Sequence, residues 1–125
     1  MKILSGYLAV FYFVLGLKKF NNKKYVEAAT IFEKVCKLDP SNKRSAFFYS
    51  YLGRSYLELK EYDLALKNLV CSYKIFKVNH LTDIDEFERN TIIVTLEAYR
   101  YLLEKNNDRE LSKIISIELN QFQNE

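Results

Sequence analysis

From Ile3 to Leu17 the chain reads ILSGYLAVFYFVLGL without one charged residue. Beyond that run its apolar positions recur every three or four residues. Tyr12, Leu15 and Gly16 share one helix face, as do Ala28 and Phe32, because residues three and four apart lie one above the other on a helix. Ile84, Phe87, Ile92, Leu96, Tyr99 and Leu103 keep the same spacing over Asp83 to Glu104. Leu111, Ile114, Ile115 and Leu119 keep it over Arg109 to Gln121. Short polar stretches interrupt the pattern at Asn21-Asn22-Lys23, Lys60-Glu61 and Asn106-Asn107-Asp108. Helices joined by such short turns run antiparallel, so the pattern predicts an all-α chain of about six helices arranged as hairpins. Asp83 is the expected cap of the fifth helix, with Asp85 and Glu86 complementing its start.

The first two hairpins are copies. At an offset of 37 residues Tyr12, Leu15 and Gly16 fall on Tyr49, Leu52 and Gly53. Further along, Tyr25 falls on Tyr62, Ala28 on Ala65 and Phe32 on Leu69. Self-similarity at such a period marks stacked repeat units. Glycine inside a helix costs roughly 1 kcal/mol against alanine, a cost that a close helix crossing would justify. Gly16 is therefore expected to touch Ala28, and Gly53 to touch Ala65. The tyrosines, Phe32 and Leu69 are expected in the wider gaps between hairpins, and Ala98 with Leu111 at the close contact of a third.

An aromatic, a leucine-glycine pair, then tyrosine, alanine and an aromatic, closing on Leu38-Asp39-Pro40, resembles the tetratricopeptide repeat. That likeness places one repeat at about 9–42 and another at about 46–79, with a degenerate capping hairpin at about 83–121, in a single domain of residues 1–125. Three residues beyond the usual period of 34 are assigned to Lys43-Arg44-Ser45. The first unit departs from the family at Lys19 and the second at Lys77. The resemblance implies a short right-handed superhelix whose concave side binds a peptide or helix of another protein. The positions it assigns to that groove are Val10, Phe13, Val14, Leu17 and Phe20, then Phe47, Ser50, Tyr51, Arg54 and Leu57. Phe13 and Leu17 stand where some members carry residues that clamp a terminal carboxylate, so an apolar segment is the expected ligand. Self-covering of these residues, or a homodimer seam along the first helix, is the alternative.

Composition narrows the remaining choices. One proline and three glycines in 125 residues are too few for the turns of a sandwich or barrel. Residues 1–44 hold nine Lys/Arg against three Asp/Glu, a net charge of about +6, and the rest of the chain is net acidic. No base-stacking pattern accompanies the lysines, so nucleic acid is not an expected partner. Cys36 and Cys71 lie in apolar stretches and read as buried free thiols of a reducing compartment.

His80 is the chain's one histidine, in a loop, which leaves no nucleophile–histidine pair to build a hydrolytic site. The carboxylates Asp83, Asp85, Glu86 and Glu88 lack the glycine-centred loop of a calcium site, and no glycine-rich phosphate loop occurs. Neither a metal nor a cofactor is expected, and no catalysis. The run from Ile3 to Leu17 is several residues short of the roughly 20 that cross a bilayer. It is expected to pack as a helix of a cytoplasmic adaptor or chaperone-like protein. Two alternatives are a small immunity protein that occludes a toxin, and an assembly factor attached to a membrane through helix 3–17.

Overall fold

The computed structural model describes residues 2–79 and 84–124. Among these residues there are six helices and no strand: α1 (Lys2–Asn21), α2 (Tyr25–Leu38), α3 (Ser45–Glu58), α4 (Tyr62–Asn79), α5 (Glu86–Lys105) and α6 (Arg109–Gln123). They form three antiparallel hairpins, and each later hairpin packs through its first helix on the second helix of the one before. The helical pattern in the sequence is thus realised as a stack. Its first helix starts about seven residues earlier than the repeat boundary at residue 9 implied.

One backbone device closes all three hairpins. Lys23, Lys60 and Asn107 have φ of 61°, 62° and 59°, a left-handed conformation that asparagine tolerates and lysine rarely adopts. Each donates its N–H to the carbonyl three residues back, that of Phe20, Leu57 or Glu104. The next residue (Lys24, Glu61 or Asp108) reaches five back, to Lys19, Tyr56 or Leu103. These bonds satisfy carbonyls that a helix end leaves without partners.

The left-handed residue also supplies a register. It reproduces the offset of 37 between the first two hairpins and aligns the third at a longer spacing of 47, from Lys60 to Asn107. Ser112 then falls where Ala28 and Ala65 stand, and Arg100 where Gly16 and Gly53 stand. At the position where Ala98 and Leu111 were expected to meet, both are partly buried, and Ser112 is the buried small residue at the alanine register. With arginine in place of glycine, α5 and α6 pack less closely than the other two pairs.

The close approach expected at the glycines is seen where Gly53 faces the Ala65 backbone, and a large residue also lies against each glycine. A Cβ on Gly16 would collide with the ring of Phe32, lying 2.8 Å from its Cδ1. A Cβ on Gly53 would lie 2.8 Å from Leu69 Cγ and 3.1 Å from the Ala65 carbonyl oxygen. The space left by glycine is thus filled by the large residue one turn beyond the alanine. Phe32 and Leu69 are fully buried over the glycines of their own hairpins, and Phe32 also meets Tyr51 of the next one. Small residues on both helices bring the backbones together, and one large side chain fills what remains.

Two apolar clusters run through the stack. One joins the first two hairpins through Ala28, Phe32, Val35, Phe48 and Leu52. The other joins the last two through Leu69, Leu96, Leu102, Ile115 and Leu119. Phe13 and Tyr56 touch both. Each junction between hairpins carries a tyrosine-to-glutamate hydrogen bond: Tyr56 donates to Glu33 at 2.7 Å, and Tyr73 to Glu118 at 2.8 Å. Lys77, at the position of the missing closing proline, pairs with the same Glu118 at 2.9 Å.

Other local expectations shift by a residue or two. Asp85 caps α5 by accepting from the Glu88 N–H at 2.7 Å. Asp83, the expected cap, lies outside the described residues, as does His80. On α6 the inward residues are Ser112, Ile115 and Leu119, with Leu111 partly buried and Ile114 facing solvent. Between the first two hairpins Asp39 is buried, accepts from Asn42 and Arg44, and offers its backbone carbonyl to the Ser45 hydroxyl. Lys43-Arg44-Ser45, the residues that lengthen the period, thus fold against the end of α2.

Candidate functional site

The ten groove positions divide by helix. On α3, Phe47, Ser50 and Tyr51 are buried. Phe47 packs edge-on to Phe76 at 5.3 Å between ring centres. Ser50 has no exposed surface. Its hydroxyl bonds to that of Thr95, whose own proton goes to the Thr91 carbonyl, so Ser50 is the donor across α3 and α5. The ring of Tyr51 meets Phe13, Phe20 and Phe32, and Phe87 of α5 stacks on it at 6.4 Å and 10°. Leu57 packs into the core between the second and third hairpins. Phe47, Ser50 and Tyr51 of the expected groove are therefore corrected to interior, with α5 lying across Ser50 and Tyr51.

On α1 the same expectation meets open surface. Val10 and Val14 are exposed, Val14 at 58%. Leu17 and Phe20 are partly buried beside them, and Phe13 turns inward against Phe32 and Phe48. Arg54 borders this surface, its guanidinium 4.5 Å from the ring centre of Tyr51 and 5.0 Å from that of Phe20. Stacked there, the cation is held rigidly at modest cost in mobility. The described ion pairs do not include it. Val10 and Val14 are thus the expected groove positions left open, with Leu17 and Arg54 half-exposed.

A second apolar surface escaped the list of ten. Leu4, Tyr7, Leu8, Phe11 and Leu15 also face solvent, Tyr7 at 73% and Phe11 at 60%. They lie along the flank of α1 that points away from the stack. Their signal was present in the 37-residue offset, which pairs them with residues of α3 and its approach. Among the described residues no helix is long and apolar enough to cross a membrane.

Neither cysteine offers chemistry to this surface. Both thiols are free, and burial pushes that of Cys36 up to about 12, so it stays protonated and unreactive at neutral pH.

No family profile and no curated protein matches the chain. Among solved structures it is similar to the Yersinia enterocolitica type III secretion chaperone SycD, solved in complex with a peptide of the translocator YopD. The identity is 20% and the TM-score 0.46, over 90% of this chain and 89% of that one.

Proposed function

We propose that this chain is a non-catalytic protein-interaction module of the tetratricopeptide kind, an adaptor or chaperone-like protein of the cytoplasm that holds an apolar segment of a partner. The observation that carries the reading is the open apolar surface of α1, where Val10 and Val14 stand exposed on the helix whose Phe20 stacks with Arg54. Exposed apolar side chains grouped on one helix mark an interaction site. The arginine adds a fixed cation that selects for a carboxylate or a carbonyl-rich backbone beside the apolar anchor.

Phe13 and Tyr51 are unsuitable as test positions because both belong to the core. Val10→Glu combined with Val14→Glu changes exposed positions and should keep the helical circular-dichroism spectrum. The wild-type chain, purified from its native source by affinity, is expected to bring down one stoichiometric partner that this double variant loses. Retention of the partner by the variant would refute the groove assignment.

A further inference from the structure

The turn register shows what the outer flank of α1 is built for. Phe11 corresponds to Phe48 of α3 and to Thr95 of α5, and Leu15 to Leu52 and Tyr99. The four counterparts are at most 4% exposed and face the preceding hairpin, where Phe48 meets Phe13 of α1, Thr95 bonds Ser50 of α3 and Tyr99 meets Tyr73 of α4. Among the described residues this face lacks a covering helix on α1, where Phe11 is 60% exposed and Leu15 40%. The flank therefore carries stacking chemistry that no described helix uses.

Charge restricts the occupant. No carboxylate occurs on α1, which ends in Lys18-Lys19 with Lys23 and Lys24 beyond it. Within the chain, α2 runs antiparallel to α1 and places Glu27 of its first turn 2.9 Å from the Lys19 amine. Lys18 closes the outer stripe in the way Lys19 closes the inner one. The chain's own far end is a poor match, since α6 presents Lys113 and Asn120 at the register where α2 and α4 carry their covering residues.

We propose that the outer flank of α1 seats one amphipathic helix of a partner protein, docked antiparallel to α1 with an acidic first turn over Lys18. The proposal rests on the interaction-module reading above but uses a different face of the helix. An acidic first turn also suits the partner helix itself, because its N-terminal end is electropositive.

The test uses the full chain and two synthetic amphipathic helices of about 18 residues, five turns. They share one apolar stripe, and their first turns carry three glutamates or three lysines. By fluorescence anisotropy at low salt the acid-tipped peptide should bind at least about tenfold more tightly. Lys18→Glu, or about 0.5 M salt, should erase that preference. Phe11→Glu with Leu15→Glu should abolish binding of both peptides at unchanged helicity.

Equal affinity for the two peptides, or binding that survives the double variant, overturns the proposal. So does sedimentation of the chain as a dimer that the double variant splits, which would give the flank to a second copy. Capture by phosphatidylcholine–phosphatidylglycerol vesicles without peptide binding overturns it in favour of a lipid surface. If neither peptide binds while Val10→Glu with Val14→Glu still releases the native partner, the docked helix fails and the interaction-module reading stands.

Discussion

The second and third hairpins are closed by the same turn yet differ seven residues before it, where one has Gly53 and the other Arg100. In the second, the backbones come close enough for Leu69 to fill the space over the glycine and for the Ala65 carbonyl to lie within contact distance of it. In the third, an arginine stands at that register, the helices pack less closely, and Ser112 alone keeps the small surface. A hairpin's turn and its closeness are therefore set by different residues. The turn needs one left-handed residue and its two hydrogen bonds, whereas closeness needs a missing side chain on one helix and a small one on the other.

Gly53→Val should break this difference most severely. Its side chain would be driven into Leu69 and the Ala65 backbone, and overpacking of this kind costs about 3 kcal/mol, measurable as a lowered urea midpoint by circular dichroism. The junctions on either side of the second hairpin can be separated by pH. Burial and the bond to Glu33 push the Tyr56 phenol up from its ordinary value near 10 to about 12, and the same causes raise Tyr73 beside Glu118. Both phenols are neutral in folded and unfolded chains below pH 10, so their contribution is fully present there. Above that, the unfolded chain ionises first, and stability falls as pH climbs towards the folded values. Tyr56→Phe should cost about 1 kcal/mol at neutral pH and flatten that alkaline decline in denaturant titrations between pH 9 and 12. Arg100→Ala is the mildest change, within about 0.5 kcal/mol. A loss near that of Gly53→Val would show that the arginine packs as tightly as the glycine does.

Much of the fold was legible because helical spacing and a fixed offset are properties of the chain alone. The offset found the two glycines and the two alanines, and with them the first two hairpins. It did not say which side chain would lie on the glycines, since that depends on where the facing helix is set along its axis. The third hairpin was legible as two helices but misplaced in register, because its matching residue is a serine rather than an alanine. Of the positions assigned to a groove, Val10 and Val14 are exposed, whereas Phe47, Ser50 and Tyr51 could not be told from solvent-facing residues until the helices packed against them were seen.

By itself the sequence determined the helices, their pairing into hairpins and the repetition of the first in the second, since these follow from local spacing and from which residues can occupy a turn. Only the tertiary structure decided which apolar faces are covered. Phe11 and Phe48 are the same residue at the same register, yet one is exposed and the other buried, because α2 packs on α3 while no described helix packs on that face of α1. Burial depends on neighbours, which the repeated pattern of a helix does not itself encode.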